Sequence, residues 1–214
     1  MALNNMKTAT ITFHAPNNNG SFLQAYALQK YITTHFDNVE NEIIDFQPES
    51  QQQQYAIFRK IHSKKDILRN LISSWHYKAL SKRFLAFSEM REKYLKMTKR
   101  CTTTEEAIKI AGNYDLVIAG SDQIWNTTAR DFSEAFFLPG ISKKSTYAVS
   151  CGSHLNEVDC DRICSAMETF ENVSVREIDT REFLEKHTKR RIETVLDPTF
   201  LLTKEDYSGL YDQL

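Results

Sequence analysis

A short apolar run that leads straight into a cluster of polar side chains constrains the fold more than any other stretch of the chain. Residues 116–119 read LVIA, which is typical of a strand covered on both faces in a parallel sheet. Gly120 marks the end of that strand. The residues that follow would project from the carboxyl edge, where open α/β sheets bind ligands: Ser121, Asp122, Gln123, Trp125 and Asn126. A capped turn with a core Trp is the structural alternative.

The remaining sequence alternates β-rich stretches with stretches that favour helices. Strands are predicted at residues 8–14, 42–46, 116–119, 135–138, 145–150, 173–175 and 192–196. Helices are predicted at 21–36 with Ser21 as N-cap, at 103–112 with a Thr103–Glu106 capping box and Gly112 at its end, at 159–170 and at 177–187. This alternation predicts an α/β, Rossmann-like fold with a doubly wound, mostly parallel sheet of about six strands.

Residues 59–100 carry a concentrated positive charge. They contain 13 Lys and Arg against three acidic residues, a local charge of +10, in a chain whose net charge is −1. Apolar residues recur there at helical spacing: Leu68, Leu71, Ile72, Trp75, Leu80, Phe84, Phe87 and Tyr94. We predict a basic helical insertion of two or more amphipathic helices packed through these stripes, preceded by a linker at Pro48 and residues 51–54.

The basic face of this insertion has two readings. It is either a solvated surface or a surface that attracts an anionic partner, such as a phosphorylated acceptor or the inner face of the membrane. Nucleic acid is disfavoured as a partner, because the rest of the chain is acidic and no recognised nucleic-acid motif occurs.

Composition indicates a folded, cytoplasmic protein. The chain is 41% hydrophobic with only four Pro and six Gly, and no apolar run reaches the roughly 18 residues that cross a bilayer. The N-terminus lacks the layout of a signal peptide, so the four cysteines are expected to be reduced and to act as small core residues. A zinc site from Cys160, Cys164 and His154 is disfavoured because a second close pair of ligands is missing, and no metal is predicted.

Several predicted strands end in polar residues that together suggest one rim. His14 follows the first strand and precedes a loop at residues 17–20, whose backbone N–H groups could face an anion. Arg176 follows the VSV strand and Asp197 follows the last one. A packed His14 and an Arg176–Glu177 ion pair at a helix start are the structural alternatives. The loop is not GxGxxG, so no dinucleotide site is predicted.

Six segments of the chain, taken in order, resemble the N-terminal half of the polysaccharide pyruvyl transferase family. They are ITFHAPNNNGSFLQAYALQKY, NEIIDF, YDLVIAGSDQIWN, KKSTYAVSCGS, VSVRE and VLDPTFLL. The resemblance extends from residue 11 to residue 202, and the GSDQIWN and VLDPT blocks are specific in combination.

The resemblance implies a GT-B-type enzyme that moves a pyruvyl group from phosphoenolpyruvate onto a pair of sugar hydroxyls as a ketal, with no cofactor besides that donor substrate. Residues 1–202 would form its N-terminal Rossmann-like domain, with 59–100 as the basic helical insertion, and 203–214 would begin the crossing to a second domain. The resemblance implies that the sequence lacks this second, donor-binding domain, because the chain is either a truncated or split gene product or ends at a domain border. The chain would then supply the acceptor-side half, and in a split gene product a second chain would carry the other domain.

Within that half the resemblance implies a substrate-binding set: Asn19, Gly20, Ser121, Asp122, Gln123, Trp125, Asn126 and Arg176. Asp122 and Gln123 would bond sugar hydroxyls, Trp125 would stack on a sugar face, and Arg176 would face an anion across the domain gap. His14 would be a cleft-facing acid or base. The acceptor would be a sugar or lipid-linked oligosaccharide of a cell-surface polysaccharide precursor. A stand-alone sugar or nucleotide binding module and a non-catalytic fragment are the alternatives.

Overall fold

The computed structural model describes residues 5–152 and 157–211. The strands are β1 (Met6–Ile11), β2 (Val39–Ile43), β3 (Leu116–Ala119), β4 (Lys144–Thr146), β5 (Ser174–Val175) and β6 (Glu193–Thr194). The helices are α1 (Asn19–His35), α2 (Glu49–Tyr55), α3 (Lys64–Trp75), α4 (Tyr77–Tyr94), α5 (Thr104–Ala111), α6 (Glu157–Met167), α7 (Ile178–Leu184) and α8 (Ser208–Tyr211). The predicted α/β architecture is confirmed.

Parallel pairing arranges the first four strands in the order β2-β1-β3-β4. Val149 bridges to both Asp122 and Val175, which connects this sheet to the parallel pair β5-β6. At the opposite edge, residues 97–101 bridge to the β2 side in parallel. Counting residues 97–101 as a strand gives seven strands, which we number here in chain order, so that β3 to β6 become strands 4 to 7. The sheet order is then 3-2-1-4-5-6-7, and its first six positions match the strand order of dinucleotide-binding Rossmann folds.

The core forms where β1 and β3 lie side by side. Ala9, Ile11, Val117 and Ala119 are fully buried in one apolar cluster. The other two residues of β3, Leu116 and Ile118, are only partly buried. The prediction of a strand covered on both faces is therefore correct for half of its positions.

The N-cap of helix α1 lies three residues before the predicted one. Asn18 is the actual cap, since its Oδ1 accepts a hydrogen bond from the backbone N–H of Gly20 at 2.8 Å. Ser21 is buried inside the first turn instead. Helix α1 also organises a second apolar cluster, which includes Phe22, Leu202 and Leu210, so that residues 203–210 lie back against this helix.

Two further sequence predictions are wrong. Residues 135–138 do not form a strand; residues 134–137 form a 3₁₀ turn capped by Ser133, in which three consecutive side chains are buried, a pattern that alternation along a strand does not allow. The glutamine run is not a linker, because it forms α2. The capping box of α5 and its end at Gly112 are confirmed.

The apolar stripe of α3 does not pack as predicted. Leu68, Leu71 and Ile72 are exposed, and Trp75 is 89% exposed, whereas Ser73 is the buried residue of this helix. The helix therefore turns a small polar position inward and its apolar face outward. No helix among the described residues is long and apolar enough to cross a membrane.

The cysteines pack as the sequence predicts. Cys101, Cys151 and Cys160 are buried, and the four cysteines form no disulfide bond with one another, with the Cys160 and Cys164 sulfurs 3.6 Å apart. His154 lies outside the described residues. Among those residues, no group of three or more His, Cys, Asp or Glu side chains is placed to hold a metal ion.

Candidate functional site

The candidate site lies at the carboxyl ends of β1 and β3, where the strand order changes direction and open α/β sheets bind ligands. Gln24 of α1 ties the two strand ends together. Its Nε2 donates to the carbonyl of Phe13 at 3.1 Å, and its Oε1 accepts from the backbone N–H of Ser121 at 3.2 Å. Thr12 adds a hydroxyl bond to the carbonyl of Ser121 at 2.8 Å. The two loops are thus held as one rim.

Asp122 is the carboxylate that this rim presents. Ser21 Oγ donates to its Oδ2 at 3.0 Å, and the Gln123 backbone N–H donates to its Oδ1 at 2.8 Å. Burial raises the pKa of Asp122, and its two hydrogen bonds and the charge of Arg176 oppose that rise. A half-buried carboxylate with a raised pKa is suited to accept a hydrogen bond or proton from a hydroxyl group.

The turn before Asp122 requires glycine. Gly120 has a φ of +128°, and a Cβ there would lie 2.1 Å from the carbonyl oxygen of Tyr147, the residue directly after β4. Asp122 itself has a φ of +74°, a conformation that Asp tolerates better than most residues. The backbone at this corner therefore points the Asp122 side chain back toward Ser21 at the start of α1.

Two residues of the predicted set are structural. Trp125 is 0% exposed and packs edge-on against Phe137 and Phe170, so the prediction that it stacks on a sugar is wrong. Ser121 is also fully buried, and its hydroxyl donates to the carbonyl of Ala148 at 3.0 Å. Both residues are therefore part of the core beneath the loop that carries Asp122.

The other predicted residues lie at or near the surface. Gln123 is exposed and its Oε1 accepts from Asn126 Nδ2 at 3.2 Å. Asn19 and Gly20 are exposed in the first turn of α1. The N–H of Gly20 bonds to the Asn18 side chain, so that donor is already satisfied within the loop.

His14 does not face a cleft, and the prediction of a cleft-facing acid or base is wrong. It is 0% exposed, with Nε2 at 2.9 Å from Asp45 Oδ1 and Nδ1 at 3.2 Å from the carbonyl of Thr12. Both ring nitrogens therefore face oxygen atoms of the protein, and neither faces solvent. Burial alone would raise the pKa of Asp45, but His14, Gln47 and Arg100 together hold it at about 2.

Arg176 lies at the same edge of the sheet. Its guanidinium donates to Glu177 and to Asp197, each at 3.0 Å. Burial alone would lower the pKa of Arg176, but these two carboxylates raise it above its usual value. The structural alternative of an ion pair at a helix start is thus present, and it includes Asp197 of the VLDPT block as well.

A pocket that the sequence did not predict lies beside this rim. The pocket has a volume of about 490 Å³ and lies between α2, α4 and the loops after β1 and β2. Arg91 and Gln51 line it, and both are buried. Arg91 Nη1 donates to Asn17 Oδ1 at 3.3 Å, and Arg83 donates to the Asn17 carbonyl at 2.8 Å, so two arginines of α4 bind the loop after β1. The charge of residues 59–100 was the available signal, but it did not identify which Arg turns inward.

The family model for polysaccharide pyruvyl transferase matches residues 18–213, almost the entire sequence. This chain belongs to the polysaccharide pyruvyl transferase family. No curated protein and no solved structure matches it. The matched region includes Asp122, the Arg176–Asp197 pair and most of the residues that line the pocket between α2 and α4.

Proposed function

We propose that this chain supplies the acceptor-side half of a pyruvyl transferase that uses phosphoenolpyruvate as donor and a pair of sugar hydroxyls as acceptor. The observation that carries the proposal is the half-buried Asp122 carboxylate at the switch point of the sheet, within a chain of this family. The acceptor would be a sugar of a cell-surface polysaccharide precursor, and the reaction would take place on the cytoplasmic side of the membrane. No metal or cofactor takes part.

The reaction balances with two hydroxyl protons. Both acceptor oxygens form bonds to the central carbon of phosphoenolpyruvate, whose bond to the phosphate oxygen breaks. One proton goes to the methylene carbon, which becomes a methyl group, and the other leaves with inorganic phosphate. Asp122 would accept the first hydroxyl proton, with Ser21 and Gln123 holding its carboxylate in position.

The donor half of the site would come from a second Rossmann-like domain, in the GT-B arrangement, carried by another chain or by another part of the same protein. Leu196, Phe200 and Ile178 support this proposal, because they are large apolar side chains exposed next to Arg176 and Asp197. Arg176 would then face an anionic donor across the domain gap. Residues 59–100 would be an insertion into the N-terminal domain.

The test is an assay of phosphate release from phosphoenolpyruvate with a panel of sugar acceptors. It compares the 214-residue chain alone with the chain supplemented by a polypeptide that carries the second domain. We expect turnover in the supplemented reaction, and a loss of about 100-fold with Asp122→Ala, as for removal of a general base. Asp115→Ala is the matched control, since Asp115 is exposed and, among the described residues, its carboxylate accepts a hydrogen bond only from the backbone N–H of Lys7.

Two results would count against the proposal. Full turnover by Asp122→Ala would remove Asp122 from the chemistry. Tight sugar or nucleotide binding by the chain alone, with no turnover in any combination, would favour a stand-alone binding module, and a folded chain without binding would favour a non-catalytic fragment.

The proposal includes a peripheral contact between α3 and an anionic membrane surface. Leu68, Leu71, Ile72 and Trp75 form an exposed apolar row on one helix face, and Lys64 and Lys65 lie one turn before it. Binding to anionic vesicles should weaken between about 50 and 500 mM salt as charge screening increases. Trp75→Ser should weaken it further. Self-association that Trp75→Ser abolishes, without vesicle binding, would instead assign this face to a second copy of the chain.

A further inference from the structure

The pocket between α2 and α4 contains a buried cation without a buried counter-ion. Arg91 is 8% exposed, and among the described residues no carboxylate lies within ion-pair distance of its guanidinium. Its side chain donates to Asn17 Oδ1, a neutral amide oxygen. Burial, together with the nearby charge of Arg100, lowers the pKa of Arg91, and the charge of Asp45 offsets this in part. A buried charge without a paired carboxylate is stabilised by an anion that enters the pocket.

Gln51 supplies a second, independent observation. Its side chain is 2% exposed and lines the same pocket, yet neither Nε2 nor Oε1 has a hydrogen-bond partner. Buried amide groups in proteins nearly always have such partners. Gln51 thus brings an amide without a hydrogen-bond partner to the wall of this pocket.

The nearest carboxylate does not neutralise this pocket. Asp45 Oδ1 already accepts from His14 and Gln47, and its Oδ2 accepts from Arg100 at 3.2 Å. Arg100 therefore pairs with this carboxylate, which a buried His also contacts, and Arg91 has no direct ion pair among the described residues. The floor of the pocket carries a net positive charge.

The opposite wall is aromatic. Phe58 and Tyr77 stack with their ring centroids 5.8 Å apart, and each is about half exposed at the pocket. Phe84 and Ile57 extend this wall, and Tyr55 adds a further ring whose hydroxyl bonds to Asp131. A ligand that fits both sides needs an anionic group and, attached to it, an apolar or planar group.

We infer that this pocket binds the diphosphate of the sugar acceptor, together with the apolar or planar group on the far side of that diphosphate. This rests on the proposed function, because it places the acceptor sugar toward the Asp122 rim. Arg91, Arg100 and Gln51 hold the phosphate oxygens, and the Phe58–Tyr77 pair covers the attached group. Lipid-linked and nucleotide-linked sugars share this chemistry.

The experiment is calorimetric titration of the 214-residue chain with four probes: geranyl diphosphate, uridine diphosphate, inorganic pyrophosphate and phosphoenolpyruvate. We expect one of the two organic diphosphates to bind at least about tenfold more tightly than pyrophosphate, since its apolar or planar part is buried against the aromatic wall. Tighter binding of geranyl diphosphate identifies a lipid-linked acceptor, and tighter binding of uridine diphosphate identifies a nucleotide-linked one.

Three variants make the titration decisive. Arg91→Met should weaken diphosphate binding about 30-fold, as expected for loss of charged hydrogen bonds. Arg162→Met is the matched control, because Arg162 is exposed, pairs with Glu134 and lies outside this pocket. Gln51→Leu should weaken binding yet raise the melting temperature of the free chain, an opposite pair of changes that a purely structural residue does not produce.

Three outcomes would overturn the inference: no binding of any diphosphate, equal binding to wild type and Arg91→Met, or phosphoenolpyruvate as the tightest Arg91-dependent ligand. The last outcome would assign the pocket to the donor. Full turnover by Asp122→Ala would show a failure of the proposed chemistry, and unchanged diphosphate binding by Arg91→Met would show a failure of the pocket assignment, so different variants and measurements distinguish the two failures.

Discussion

Two polar clusters lie near the same edge of the sheet and differ in how completely they are paired. In the first, which we call the sealed cluster, His14, Asp45, Gln24 and Thr12 are buried and bonded to one another or to backbone groups. In the second, the open cluster, Arg91 and Gln51 are equally buried, but the described residues leave the Gln51 amide unpaired and offer Arg91 no carboxylate within ion-pair distance.

This difference indicates that the sealed cluster contributes to the stability of the fold and that the open cluster is available to bind a ligand. A buried polar group whose hydrogen bonds are all made contributes to a unique packing. Its removal lowers the free energy of unfolding, because its buried partners are left unpaired. A buried polar group without partners lowers stability until a ligand completes its bonds. The sealed cluster therefore should respond to mutation through folding, and the open cluster through binding.

The largest effect is expected for Asp45→Ala. This change leaves the His14 ring and the Gln47 amide without their buried acceptor. We expect a loss of about 3 kcal/mol in the free energy of unfolding, measured by urea denaturation. Asp115→Ala, at an exposed carboxylate, should cost less than about 1 kcal/mol. Equal losses in the two variants would contradict the description of the first cluster as sealed.

The pH dependence of stability provides the next test. The pKa of Asp45 is about 2 in the folded chain, against an ordinary value of 3.8. Its carboxylate thus stabilises the fold fully above pH 4, and that contribution of about 2 kcal/mol is lost as the pH falls toward 2. Asp45→Asn should lack this part of the acid sensitivity. Parallel acid unfolding curves for wild type and Asp45→Asn would show that the pairing with His14 is not maintained in solution.

Gln51→Leu should have a smaller effect of opposite sign. Leu fills a similar volume and removes two unpaired buried atoms, so we expect the free energy of unfolding to rise by about 1 kcal/mol. Thermal and urea unfolding of the free chain measure the change. A loss of stability instead would mean that the Gln51 amide has partners in solution, and the two clusters would then not differ.

The smallest change is expected for Arg100→Gln. Arg100 connects the clusters, since it lines the pocket and donates to Asp45, but its side chain is 62% exposed. An ion pair with one solvated partner is worth less than about 1 kcal/mol, so stability should barely change. Pyrophosphate affinity should nevertheless fall measurably in a titration. A large stability loss without a change in affinity would assign Arg100 wholly to the sealed cluster.

Local chemistry made much of the fold predictable from the sequence. The capping box at Thr103 and Glu106 and the apolar run at residues 116–119 depend on neighbours within a few positions. The same holds for the polar cluster after β3, whose place at the carboxyl edge follows from the strand that precedes it. The 3₁₀ turn at residues 134–137 was missed because a run of apolar residues without periodicity is compatible with several backbone conformations.

The sequence by itself thus determined the family, the α/β alternation and the rim that carries Asp122. Tertiary structure alone decided that Trp125 is buried, that His14 pairs with Asp45, and that Arg91 and Gln51 turn into one pocket. Tertiary structure also decided that α3 turns its apolar stripe outward. The physical reason is separation along the chain: His14 and Asp45 are 31 residues apart, and such contacts depend on how elements pack in space, which local periodicity does not encode.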